Sequence, residues 1–219
     1  MLLPHIVLFT TSSNRWKIKM DLERWSPRCI GTQKQTSTYN LYKDFVRIMD
    51  RNPEFRNLFY CRIGDQYPII NYILKCLCAP QSTLYINTPS SRIGPGLFMI
   101  HGFSTIIAAS SIGSNCMIGQ QVTIGASFKV RDLKGCPTIS DDVNIMPAGI
   151  VITGLPTIED NVNIMPGAIV FGGVTIGSNS TVGANALVTK DVPKNCTVVG
   201  NPAYIVRING LPTKESLQQ

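Results

Sequence analysis

From Ile93 onward an aliphatic residue returns every six positions: Ile106, Ile112, Ile118 and Ile124, then Ile139, Ile145 and Val151, then Ile158, Ile164, Val170, Ile176, Val182 and Val188. Neither the 3.6-residue period of a helix nor the 2-residue period of a strand is a six-residue period. Such a rhythm belongs to the hexapeptide repeat of a parallel β-helix, in which three hexads make one triangular coil and the aliphatic position points into the prism. Small or turn-tolerant residues, Gly113, Asn115, Asn161, Gly177, Asn179 and Gly183, fall where corners are expected. A longer repeat lies on top, because residues 137–155 and 156–174 match at twelve of nineteen positions. One coil reads as a duplication of the other.

A perfect solenoid has no site, so breaks in the rhythm are where function is grafted. Ile93 and Ile106 are thirteen residues apart rather than twelve, which places an extra residue near Ile100-His101-Gly102-Phe103 and His101 at a distorted corner. The polar stretch 126–136, with Lys129, Arg131, Asp132 and Lys134, is too charged for a coil interior and reads as an extruded loop. A one-residue excess between Thr153 and Thr157 reads as a wide Gly-Leu-Pro turn.

Before the rhythm begins the periodicity is helical. Leu41, Phe45 and Ile48/Met49 predict a helix from Thr38, Asn52-Pro53 starts a second that runs to Gly64, and Pro68 starts a third that stops before Ala79-Pro80. The expected organisation is a loosely ordered leader over 1–37, a helical domain with a connecting strand over 38–91, the β-helix over 92–205, and a C-terminal tail over 206–219. The start, MLLPHIVLF, is too short for a membrane span and lacks the basic n-region of a secretory signal.

The net charge of +7 is N-terminal: residues 1–91 hold twelve Lys/Arg against six Asp/Glu, and residues 92–219 hold eight against seven. With no nucleic-acid-binding motif beside it, this excess argues against nucleic acid. The mixture Arg47, Arg51, Phe55, Arg56, Phe59, Tyr60 and Arg62 reads as helix packing, with peripheral membrane contact as the other use. Seven irregularly spaced cysteines argue against a disulfide framework and for reduced thiols in a cytoplasmic protein. Only His5 and His101 are available as histidine ligands, so no metal is expected.

From Ile93 to Ile205 the order of elements resembles serine acetyltransferases and the related enzymes that O-acetylate bacterial polysaccharides. IGPGLFMIHGFSTII resembles the strand and corner bearing their catalytic histidine. IGQQVTIG resembles the next coil, GCPTI the return from their loop, and VTKDVPKNCTVVGNPAYIV their closing segment. NPEFRNLFYCR looks like the polysaccharide branch. The resemblance implies a left-handed β-helix, an exception to right-handed crossovers. It also implies a homotrimer, acetyl-CoA as cosubstrate, and His101 as general base. Acetyl-CoA is implied to lie between subunits along Ala126, Pro147 or Pro166, and Ala184, with Lys190 near phosphate; Phe103, Gln120 and Asp132 are the acceptor-side candidates.

Four positions that handle the amino acid in serine acetyltransferases differ here and hold Ile86, Ile100, Gly135 and Cys136. A serine zwitterion would lose its charged partners there, and an unpaired buried charge is costly. The expected acceptor is therefore a saccharide hydroxyl of a bacterial surface polysaccharide or its precursor. Serine O-acetylation for cysteine biosynthesis, or a non-catalytic scaffold, are the alternatives. The group orienting His101 stays open between a backbone carbonyl, Asn87 and Asp132. Cys136, before a corner Pro, reads as packing rather than as a nucleophile.

Overall fold

The computed structural model describes residues 2–29, 31, 38–125, 133, 135–148 and 151–217. Five helices come first: α1 (Leu3–Thr11), α2 (Arg15–Cys29), α3 (Thr38–Arg51), α4 (Pro53–Gly64) and α5 (Pro68–Leu77). The last three stand where the periodicity predicts them. A proline at the first helical position opens both α4 and α5, where its missing N–H is no loss. Helix α4 buries Phe55, Leu58, Phe59, Tyr60, Arg62 and Ile63, and so sits at the centre of the helical unit.

The segment expected as a loose leader differs from that reading. It contains α1 and α2, which bury Leu8, Phe9, Ile18, Leu22 and Trp25. Ile18, Leu22 and Trp25 follow helical i, i+4, i+7 spacing, which the interleaved lysines and arginines obscure in the sequence. Phe55, Phe59, Tyr60 and Arg62 are buried, so they pack the helical unit rather than face a membrane. No helix among the described residues is long and apolar enough to cross a membrane.

The chain then winds into a parallel β-solenoid of about five turns. One face stacks Leu84–Ile86, Thr105–Ile107, Thr123–Gly125, Val151–Thr153, Ile169–Phe171 and Leu187–Val188. A second stacks Ser111–Ile112, Thr138–Ile139, Thr157–Ile158 and Thr175–Ile176. The third stacks Phe98–Met99, Met117–Ile118, Asn144–Ile145, Asn163–Ile164, Thr181–Val182 and Cys196–Val199. The expected tail extends this third face as an antiparallel hairpin, Tyr204–Ile208 with Leu211–Ser216. Ile112, Ile118, Ile124, Ile139, Ile145, Ile158, Ile164, Val170, Ile176, Val182 and Val188 fill the prism, as the rhythm predicts.

The phase shifts in two places. Ile107 is the buried residue and Ile106 is 40% exposed, so the excess of chain lies wholly between Met99 and Ile107, at the His101 corner. Val170 pairs with Ile152 rather than Val151, so the second extra residue precedes that strand instead of following Thr153. Corner residues divide by role. Asn115, Asn161 and Asn179 take positive φ, and Asn161 and Asn179 donate side-chain hydrogen bonds along one ladder to Asn195. Gly177 is instead needed for closeness, since a Cβ there would stand 2.5 Å from the Lys194 backbone nitrogen. The duplicated coils stack in register, Asn144 on Asn163, with a side-chain hydrogen bond of 3.0 Å between them.

Helices and solenoid meet through a buried ion pair. Arg62 of α4 donates to both carboxylate oxygens of Asp21 on α2, at 2.9 and 3.1 Å. It also donates to the carbonyls of Ile93 (2.8 Å) and Gly94 (2.7 Å), and Asp21 accepts from the Gly96 amide at 2.6 Å. Both side chains are essentially inaccessible to water. Trp25 adds a hydrogen bond from its indole N–H to the Leu97 carbonyl and edge contacts to Phe55 and Phe98. Removing one partner of such a pair strands a buried charge, at roughly 3–5 kcal/mol. Arg62→Leu is therefore expected to lower stability by about that amount in urea unfolding followed by circular dichroism. An exposed change such as Lys43→Ala should move it by less than about 0.5 kcal/mol.

Candidate functional site

His101 lies two residues beyond the strand Phe98–Met99, in the excess chain that precedes Thr105–Ile107. Its φ of 56° is left-handed, a region that histidine enters more readily than most side chains. The residue before it, Ile100, still donates its amide to the Ile118 carbonyl at 3.0 Å, and the Phe103 amide donates back to the carbonyl of His101. The ladder thus holds the backbone up to the corner, and the left-handed turn sends the exposed imidazole outward.

The register carries this corner down the solenoid. Met99 pairs with Ile118, Ile118 with Ile145, Ile145 with Ile164, and Ile164 with Val182. Past the excess chain the ladder resumes, the Gln121 amide donating to the Phe103 carbonyl and the Ala148 amide to that of Gln120, so Gln120 lies beneath Phe103, Pro147, Pro166 and Ala184 follow in register, and His101 stands in the bulge just before this column. At about 4.8 Å per coil the column runs about 19 Å. Of the sequence candidates, Gln120, Pro147, Pro166 and Ala184 therefore form one column that adjoins the bulge bearing His101. Gln120 has a buried Oε1 with no hydrogen-bond partner in the structure.

The remaining candidates fall elsewhere. Val170 pairs with Val188, so Lys190 is level with Gly172 at the corner after the first face, where its ammonium donates to the Leu217 carbonyl at 3.4 Å. Ala126 and Asp132 lie outside the described residues. Phe103 is exposed and does not line the cleft beside His101. Asn87 lines a separate cavity between α4, α5 and the first strand, and so is not brought to the imidazole. Cys136 is buried, as a packing residue should be. Among the described residues, no group of three His, Cys, Asp or Glu side chains comes together to hold a metal.

Against His101 opens a cleft of about 460 Å³ between helices and solenoid. Its walls are Trp25, Phe98, Met99 and Met117, with Arg28, Cys29, Asn52 and Glu54 as polar members. Glu54, in the first turn of α4, lies over Gly102: a Cβ on that glycine would come within 2.9 Å of the Glu54 Cγ. Burial pushes the Cys29 thiol up, the Glu54 carboxylate adds to the rise, and Arg28 opposes it. Sequence reasoning missed Glu54 and Arg28. Glu54 stands inside the NPEFRNLFYCR segment, and only the packing of α4 on the first coil reveals what it faces.

Comparison with known proteins fits this architecture. The model of the bacterial transferase hexapeptide (six repeats) matches residues 156–190, and that of the hexapeptide repeat of succinyl-transferase matches residues 110–132. A serine acetyltransferase of Synechococcus elongatus is 30% identical over 190 residues, spanning 78% of this chain and 69% of the relative. The chain belongs to the serine acetyltransferase family of hexapeptide-repeat acetyltransferases. A serine acetyltransferase of Staphylococcus aureus is 36% identical over 124 residues, and the match spans 56% of this chain and about half of the relative, 49%. Two crystal structures share the fold: serine acetyltransferase of Brucella abortus (TM-score 0.55, 19% identity, 94% of this chain and 74% of that one) and of Neisseria gonorrhoeae with serine (TM-score 0.50, 23% identity, 88% and 69%).

These relatives overturn the saccharide acceptor expected from Ile86, Ile100, Gly135 and Cys136. That expectation required the charges around the acceptor to occupy fixed sequence positions. Charges act through space, and the cleft beside His101 is lined by Arg28 from α2 and Glu54 from α4. Their proximity has a measurable consequence. Removing the Glu54 charge favours the Cys29 thiolate, so Glu54→Gln should lower the pKa of that thiol and raise its alkylation rate near neutral pH. Peptide-resolved mass spectrometry of iodoacetamide labelling checks this, with Cys76 as the internal reference.

Proposed function

We propose that the chain is an acetyl-CoA-dependent serine O-acetyltransferase with His101 as its general base. The observation that carries the reading is His101 itself, on a left-handed corner that lines a cleft and adjoins the column holding Pro147, Pro166 and Ala184. The names of the relatives supply the acceptor. The neutral imidazole takes the proton of the serine hydroxyl as the oxygen attacks the thioester carbonyl carbon. The tetrahedral oxyanion collapses, the C–S bond breaks, and the imidazolium returns the proton to the leaving thiolate. O-acetylserine and CoA result, with no acetyl-enzyme. Imidazole suits both transfers because its ordinary pKa lies near neutrality.

Pro147, Pro166 and Ala184 fit the donor, since they leave a shallow track without protruding side chains along which a long, thin thioester arm lies. Lys190 sits on another corner, so it serves the same donor only across a subunit boundary. This supports a homotrimer in which the His101 column of one subunit faces the Lys190 corner of the next. No chemistry here calls for a metal.

His101→Asn tests the base. Asparagine occupies the left-handed corners at Asn115, Asn161, Asn179, Asn185 and Asn195, so the variant keeps the backbone. Turnover is expected to fall by roughly 10² to 10⁴ while acetyl-CoA affinity by calorimetry stays unchanged. Near wild-type turnover would assign the base elsewhere. Light scattering should return three times the 24.0 kDa chain mass. Tight acetyl-CoA binding by a monomer would sink the shared site.

A further inference from the structure

We propose that Glu54 and Arg28 hold the α-ammonium and α-carboxylate of the acceptor in the His101 cleft, making it selective for a hydroxy amino acid. This rests on the reading of His101 as base in an acetyl transfer to serine. Among the described residues Glu54 makes no hydrogen bond and no ion pair, although it is half-buried against Gly102 beside the base. A partly desolvated carboxylate without a partner calls for a cation. Arg28 places its guanidinium 5.2 Å from the centre of the Phe98 ring and donates one N–H to the Arg24 carbonyl, which leaves further donors of its fork unused.

Glu54 and Arg28 line one cleft and act in opposite directions on the Cys29 thiol that also lines it, yet they do not pair with each other among the described residues. Two opposite charges held apart across a small cavity match the two poles of an amino acid. Apolar walls at Trp25, Phe98 and Met117 strengthen both contacts by excluding water. With the ammonium on Glu54, which abuts the residue after His101, a hydroxyl on the adjacent carbon is directed at the imidazole.

The test compares wild type, Glu54→Gln and Arg28→Met on three acceptors: L-serine, 3-hydroxypropionate, which lacks the ammonium, and ethanolamine, which lacks the carboxylate. Thermal unfolding and acetyl-CoA affinity confirm that each variant is folded. Glu54→Gln should raise KM for L-serine on the order of tenfold, as loss of one charge-assisted hydrogen bond implies, and leave KM for 3-hydroxypropionate in place. Arg28→Met should do the same for L-serine and leave ethanolamine in place. If all three acceptors weaken together, the residues are merely structural and the proposal is overturned. If wild type acetylates L-serine and both variants match it, the cleft assignment falls and the serine reading stands. If wild type instead acetylates L-homoserine or L-threonine and depends on Glu54 to do so, the serine reading falls and the cleft assignment stands. Acetylation of no amino acid would remove both.

Discussion

The guanidinium of Arg62 and the carboxylate of Asp21, taken out of water together, determine where everything around His101 can stand. Each charge satisfies the other and both are further hydrogen-bonded to the backbone of 93–96, the entry to the first coil. Buried pairs of this kind are poor sources of net stability but demanding in geometry, because any shift leaves a charge uncompensated. The two helices that supply them are those that supply the cleft: α2 carries Asp21 and, two turns later, Arg28; α4 carries Glu54 and, two turns later, Arg62. Docking the helices and forming the cleft are therefore one event. Lys17 reinforces it by donating to the carbonyls of Ser90 and Ile93.

The solenoid contributes the opposite property, repetition. Each coil repeats the corner of the one above with a fixed step, so one distorted corner at the top defines a line down the molecule. That line is what stacks Gln120, Pro147, Pro166 and Ala184 beneath the bulged corner that carries His101 and Phe103, through hydrogen bonds that never involve those side chains. Repetition also explains why most corners cannot vary. A side chain at Gly113 or Gly177 would run into the backbone of the next coil. At the His101 corner the excess chain relieves that constraint, and a large polar side chain is admitted.

Much of this was legible because a six-residue period has few structural meanings, and aliphatic residues such as Ile118, Ile145 and Ile164 declare their position by repetition alone. The helices over 38–77 were legible for a similar reason, with Pro53 and Pro68 marking their starts. What escaped reading depends on partners distant in sequence. Ile106 and Ile107 are equally apolar, and only the strand pairing decides which of them enters the prism. The helical spacing of Ile18, Leu22 and Trp25 is diluted by charged neighbours whose burial or exposure depends on α4 and the first coil. Glu54 and Arg28 carry no local mark at all, since an exposed acid in a first helical turn is ordinary. The saccharide expectation rested on reading substitutions at Ile86 and Ile100 as loss of charge, and nothing local to Arg28 or Glu54 marks that both line the His101 cleft.

The division of labour between the two units follows from their stiffness. A corner fixed by ladder hydrogen bonds on both sides can hold a base in a left-handed conformation that a looser segment would relax, and it offers few ways to reshape what lies opposite. Helix side chains have the complementary character. Glutamate and arginine reach several ångströms from a backbone that tolerates substitution, so charge can be added to or removed from the cleft without disturbing a coil. In the proposed reading, proton transfer falls to the laddered solenoid corner and the choice of acceptor to helix side chains that can be replaced without disturbing a coil. On that reading, the length and charge of the α2 and α4 side chains that line the His101 cleft are the variables through which one acceptor is preferred to another.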